Sequence, residues 1–97
     1  MKQHTEVIEI QNNESAHRFE ALVDGHVAFV QYRYSNTGEI VFTHTEVPRP
    51  LAGRGIGSKL ARFALDYARD RALRAASTCS FISSYVENHP EYQSLFE

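Results

Sequence analysis

The sequence predicts an α+β fold: a mostly antiparallel sheet of about five strands, with a long helix after the fourth strand and a short helix after the fifth. Three observations carry this. Up to position 47 the chain is made of short alternating apolar and polar runs separated by turn-forming clusters. From Ile56 the apolar residues Leu60, Phe63, Ala64 and Tyr67 switch to helical spacing. A weaker strand and a second helical pattern then follow before Pro90.

Taken in order, Thr5 to Ile10 reads as an edge strand on Val7, Ile8 and Ile10, and Asn12-Asn13-Glu14-Ser15 is turn chemistry. Arg18 to Val23 alternates, with Phe19, Ala21 and Val23 on one face. Asp24-Gly25 is a two-residue hairpin signal, and Val27 to Tyr34 is rich in β-branched and aromatic residues. Ser35-Asn36-Thr37-Gly38 makes the next turn, and Glu39 to Val47 is the fourth strand. Short turns between strands in meander order imply antiparallel pairing. The long helix is expected from Ile56 to about residue 72, with no glycine to mark its end. Leu73 to Ser77 is a weak fifth strand, parallel to the fourth if the helix is a crossover. Phe81, Ile82, Tyr85 and Val86 recur at helical spacing, and that helix should stop before Pro90. Glu91 to Glu97 reads as a loop or a turn of helix.

The 97 residues suffice for one domain with one core, and hydrophobic and charged contents of 42% and 23% are those of a soluble globular chain. The net charge of −2 gives no general attraction to nucleic acid or an anionic membrane. Tyr32, Tyr34, Phe29 and Phe42 hint at a base-stacking sheet, but Val30-Gln31-Tyr32-Arg33-Tyr34 lacks the RNA-recognition pattern, so core packing is the better account. Met1-Lys2-Gln3-His4-Thr5-Glu6 lacks the apolar segment of a signal peptide, and no run approaches a membrane span. A single cysteine, Cys79, cannot close an internal disulfide. A cytoplasmic location is therefore expected. His4, His17 and His26 show no metal-ligand spacing, so no metal is assigned.

The stretch Val47-Pro48-Arg49-Pro50-Leu51-Ala52-Gly53-Arg54-Gly55-Ile56-Gly57-Ser58 joins the strands to the long helix. Its glycines let the backbone turn tightly and approach a ligand. A glycine-rich loop opening a helix presents unpaired N–H groups and a positive dipole end, which suits a phosphate. Arg54 and Lys59 add charge of the right sign. The spacing is not that of a Walker loop, and Gly53-x-Gly55-x-Gly57 has the wrong last step for the dinucleotide fingerprint. The competing account is a strand-to-helix turn that binds nothing, which leaves a structural or interaction domain.

Gly-Arg-Gly-Ile-Gly after a strand ending in Val-Pro resembles the acetyl-coenzyme A (acetyl-CoA) loop of GNAT-type N-acetyltransferases, whose pattern is Gln/Arg-x-x-Gly-x-Gly/Ala. Ala52 stands in the first slot, while Gly55 and Gly57 match. The departure removes a side-chain contact and leaves the main-chain amides. Phe42 to Pro48, Arg54 to Ser58, Cys79-Ser80-Phe81 with Tyr85, and His89-Pro90-Glu91-Tyr92 follow in order. Together they resemble the Yjdj-type subgroup of GNAT N-acetyltransferase domains over nearly the whole chain. The resemblance implies a GNAT-like fold, acetyl-CoA as co-substrate, and transfer of acetyl to an unidentified amine, small molecule or protein. The subgroup lacks the N-terminal helices and final strands that usually shape an acceptor site. A non-catalytic CoA-binding module, a sensor or partner subunit, is therefore the alternative.

The resemblance places pantetheine along Val47, beside Pro48, whose missing N–H suits a strand that stops pairing. It places pyrophosphate over Arg54, Gly55, Ile56, Gly57 and Ser58. Asn88, at the far end of the second helical pattern, is a further candidate coenzyme contact. Cys79 lies where a strand candidate meets a helix start, and a helix N-terminus can lower a thiol pKa. The resemblance makes it a nucleophile or acetyl carrier, against the alternative of a small buried hydrophobe. His44 and Glu46 alternate along a strand and so share a face, either serving as base for the attacking amine. Phe42 falls on that same face, so a core histidine is the other reading of His44. Tyr85 is the proton donor to the leaving thiolate by resemblance, or a core residue beside Phe81 and Ile82.

Overall fold

The computed structural model describes residues 8–97. In chain order they form β1 (Ile10–Asn13), β2 (Arg18–Val23), β3 (His26–Tyr34), β4 (Ile40–Glu46), α1 (Ile56–Asp70), β5 (Ala75–Ser77) and α2 (Ser80–Glu87). Short 3-10 segments cover Arg49–Leu51 and Pro90–Phe96. The strands make one sheet in the order β1-β2-β3-β4-β5. β1 to β4 are an antiparallel meander, and β5 runs parallel to β4 after the α1 crossover. This is the α+β arrangement expected from the sequence, with a helix after the fourth strand and another after the fifth.

The first strand departs from the expected Thr5 to Ile10. Thr5 to Val7 lie outside the described residues, and β1 starts at Ile10 and runs through Asn12 and Asn13. Pairing overrides their turn preference. Asn12 faces Phe19 across the ladder and its Oδ1 accepts from Tyr32 Oη at 2.7 Å. Asn13 Nδ2 donates to Glu20 at 3.2 Å. The Asp24-Gly25 hairpin forms as expected, with both residues at positive φ (50° and 79°), the backbone of a type I′ turn.

Phe19 and Ala21 of β2, Val30 and Tyr32 of β3, and Ile40 and Phe42 of β4 line one face of the sheet. That face packs with Leu60, Ala64 and Leu65 of α1, Ile82 and Val86 of α2, and Tyr92 into a single core cluster. The apolar stripe of α1 is thus spent on the sheet, and burial of these side chains supplies most of the stabilisation. The helix ends without glycine: Ala72 takes φ 55°. Its N–H bonds Arg69 O at 3.0 Å and the Leu73 N–H bonds Ala68 O at 2.9 Å, closing a Schellman turn. The Tyr92 hydroxyl donates to Asp66 Oδ1 at 2.6 Å and ties the C-terminal segment to α1.

One irregularity redirects the site. Gln31 faces His44 but Tyr32 faces Phe42, which leaves Thr43 as an extra residue on β4. Its Oγ1 donates to Gln31 O at 3.2 Å. Such a bulge breaks strict alternation. Phe42 and His44, expected on one face, therefore lie on opposite faces. Phe42 is in the core, whereas His44 and Glu46 join Gln31 and Phe29 on the face that the helices leave open.

Candidate active site

Pairing between β4 and β5 covers only Ile40–Phe42 against Ala75–Ser77. The Thr78 N–H adds a last bond to Phe42 O at 2.9 Å. There the chain leaves the sheet to start α2, so His44, Thr45 and Glu46 have no β5 partner. The sheet opens along that edge of β4, beginning nearer the middle of the strand than the Val47-Pro48 end expected from the resemblance.

The glycine loop sits at the same end. Leu51 (0% exposed) and Ile56 (1%) pin it to the core on either side. Between them Gly53 and Gly55 adopt φ of 79° and 74°, a region L side chains rarely enter. Gly55 is the N-cap of α1 and, among the described residues, no side chain caps the helix. Its first-turn N–H groups are therefore left for an outside acceptor, the chemical fit a pyrophosphate requires. Gly57 has a different reason to be glycine. It lies within the helix, and a Cβ there would come within 2.9 Å of Phe81 Cζ.

A cavity of about 230 Å³ lies over the loop, bordered by Val47, Leu51, Gly55, Gly57, Ser58 and Phe81. A second, of about 200 Å³, adjoins it at Ser58 and Phe81 and continues to Ser84, Tyr85, Asn88 and His89. Together they form a groove from the end of β4 to the outer side of α2. It gathers Val47, Gly55, Ile56, Gly57, Ser58, Tyr85 and Asn88 of the residues singled out in the sequence. Pro48 precedes the Arg49–Leu51 turn without lining the groove. The Arg54 guanidinium is turned to the β2–β3 hairpin, where it donates to Asp24 Oδ2 at 2.8 Å. Larger cavities exist, about 380 Å³ by Glu20, Leu22 and Val27 and about 360 Å³ by Arg62, Arg69 and Tyr92. Neither combines an open strand edge with uncapped helix amides.

The candidate reactive side chains fall on both sides of β4. Cys79 is buried (6% exposed) and is the N-cap residue of α2. Ser77 Oγ accepts from the Cys79 N–H at 3.1 Å and from Ser83 Oγ at 3.0 Å, and donates to Cys79 O at 2.9 Å. These bonds fix the turn, and Cys79 Sγ rests 3.4 Å from Thr45 Oγ1 on the helix-covered side of β4. His44 and Glu46 are on the other side, more than half exposed, with Nε2 and Oε1 3.1 Å apart. Since a carboxylate only accepts, Nε2 is the donor in this pair, which in the neutral tautomer leaves the lone pair at Nδ1. The Phe29 ring lies 5.9 Å from the His44 ring. The structure thus brings His44 to Glu46, and Cys79 to Thr45, without joining the two pairs.

Tyr85 borders the outer part of the groove and stacks on His89, ring centroids 3.8 Å apart. His89 Nδ1 donates to Tyr85 O at 2.8 Å, which fixes its tautomer. Burial pushes the Tyr85 hydroxyl pKa up, against the nearby Arg62 charge, which lowers it. Phe81, read in the sequence as part of a motif and of the second helix's apolar pattern, emerges as a groove residue. Its contact with Gly57 joins residues distant in the chain, so no local signal announces it. Among the described residues no three His, Cys, Asp or Glu side chains converge as metal ligands would.

Comparison with known proteins agrees with this geometry. The sequence model of the GCN5-related N-acetyl-transferase family matches residues 18–95. Protein NATD1 of Xenopus tropicalis is 32% identical over 90 residues, covering 91% of this chain and 83% of that protein. Human Protein NATD1 is 40% identical over 68 residues, covering 70% of this chain and 60% of that protein. The solution structure of a GCN5-like protein from Staphylococcus aureus superimposes with a TM-score of 0.71 at 31% identity, over 90% of this chain and 85% of the other.

Proposed function

The chain belongs to the GCN5-related N-acetyltransferase family, and on that premise we propose that it binds acetyl-CoA in the groove beside Val47 and transfers the acetyl group to an amine. The observation that carries this is the edge of β4 left unpaired beyond Phe42, next to an uncapped helix start. Bound acetyl-CoA supplies an activated thioester carbonyl. The first-turn amides of α1 and the loop glycines hold pyrophosphate oxygens. The free edge of β4 supplies main-chain donors and acceptors for an extended arm, as an added strand would use.

The acceptor approaches from the open face, because the helices cover the other. An ammonium must lose a proton before its nitrogen attacks. Glu46 holds His44 Nε2–H, so Nδ1 takes that proton. A second route is favoured by the place of Cys79 beside Thr45 at the same edge. Attack by its thiolate on the thioester carbonyl would form acetyl-cysteine and expel the CoA thiolate; an amine then takes the acetyl group and restores the thiol.

Incubation with acetyl-CoA and a panel of primary amines, read by mass spectrometry, tests both routes. Acetylated amine with unmodified protein supports direct transfer through His44. An acetyl group trapped on Cys79 and chased off by amine supports the relay. Tight binding with neither product would favour a binding module that senses acetyl-CoA or serves a partner. Failure to bind would overturn the proposal.

A further inference from the structure

Phe81 is a large apolar side chain left 40% exposed, yet its ring lies close against α1. Of its ring atoms Cζ comes nearest to where a Gly57 Cβ would stand, at 2.9 Å, with Cε1 and Cε2 both at 3.5 Å. The ring therefore points tip-first at the first turn of α1, in space that only glycine leaves open. It also borders both cavities of the groove, of about 230 Å³ and about 200 Å³. Either volume alone is below the ~300 Å³ at which sites for drug-sized ligands begin. A ligand as long as a coenzyme has to use both, and the ring stands where they meet.

We propose that Phe81 is a gate within the donor groove. With the ring on Gly57, only short thiol ligands enter the loop cavity; a donor that runs the length of the groove must turn the ring aside. Phe81 then determines which acyl carriers are accepted, through the fraction of molecules whose ring is displaced. An apparent dissociation constant is raised by the inverse of the competent fraction, so a ring open in about one molecule in ten weakens a full-length ligand about tenfold. A ligand confined to one cavity is unaffected. This inference rests on the donor-groove reading above.

Its test is calorimetric titration of the wild-type chain, Phe81→Ala and Phe81→Leu with coenzyme A and with S-acetyl-N-acetylcysteamine, a thioester short enough for one cavity. Phe81→Ala is expected to bind coenzyme A about tenfold more tightly, with the short thioester changed less than about twofold. Phe81→Leu, which keeps apolar bulk but shortens the reach to Gly57, should fall between. Because the side chain is partly exposed, thermal melts should show all three folded, and the leucine variant carries the test if the alanine variant does not fold. Coenzyme A binding that is weakened or unchanged in both variants would overturn the gate while leaving the donor groove intact. Equal gains for both ligands would likewise overturn it, since a gate between cavities acts only on the longer one. No coenzyme A binding by any of the three would overturn the donor groove itself.

Discussion

Within β4, Ile40 to Phe42 and His44 to Glu46 are consecutive parts of one strand that meet different surroundings. The first part pairs with β3 on one edge and β5 on the other, and all of its side chains are buried. The second, among the described residues, keeps only β3, and its side chains alternate between Thr45 beside Cys79 and the exposed His44 and Glu46. Thr43, the bulged residue, separates them. The contrast shows how a small sheet can carry a site without sacrificing its core. Backbone bonds and apolar burial are completed in one half, so the other half is left with an open edge and chemically useful side chains.

The strongest way to break this contrast is Phe42→Ala. Removing a fully buried ring should cost about 3–5 kcal/mol, on the order of a small domain's whole stability. Denaturant unfolding measures it, and a loss under about 1 kcal/mol would mean the buried half is not the structural half. The counterpart is His44→Ala. Stability should stay within about 0.5 kcal/mol while the rate of acetyl transfer falls about 10²–10⁴-fold, the usual worth of a positioned base. Normal turnover in that variant would move the chemistry to Cys79.

A third variant asks how far the covered face depends on its helices. Burial, and then the bond to Asp66, push the Tyr92 hydroxyl pKa up to about 12. Tyr34, 43% exposed but partly desolvated and bonded to Tyr67, is likewise pushed up to about 12. In the unfolded chain both lie near ~10. The folded state thus holds these protons more tightly, and the stability they contribute is present below pH ~10 and is lost as pH rises toward ~12. Tyr92→Phe should cost about 1 kcal/mol at neutral pH and make the alkaline loss shallower. An unchanged alkaline melting profile would contradict the assignment. The smallest effect is expected from Arg54→Ala. The Arg54–Asp24 pair is exposed, with side-chain accessibilities of 31% and 70%, so its loss should change stability by under ~1 kcal/mol. A larger loss would give the loop a structural role that the contrast denies it.

Legibility in the sequence followed the range of the forces involved. The Asp24-Gly25 hairpin, the start of α1 and the stop before Pro90 are set by neighbouring residues and were readable there. Asn12 and Asn13 read as a turn locally, but partners on β2 and β3, remote in sequence, hold them in a strand. The end of α1 was blurred because Ala72 occupies a left-handed position usually given to glycine. Thr43 carries no mark of a bulge, so regular alternation put His44 with Phe42. The groove residues from Val47 to Ser58 were legible as one continuous stretch. Phe81 was not, because its role exists only through Gly57 across the fold.

The central claim is that ligand binding belongs to the open half of β4 and the loop beside it. A titration of isotope-labelled protein with coenzyme A, followed by backbone amide NMR, tests it most directly. The account predicts shifts at Thr45 to Val47 and at Gly55 to Ser58, with Ile40 to Phe42 unmoved. Shifts confined to the cavity by Glu20, Leu22 and Val27, or to the one by Arg62 and Tyr92, would contradict it.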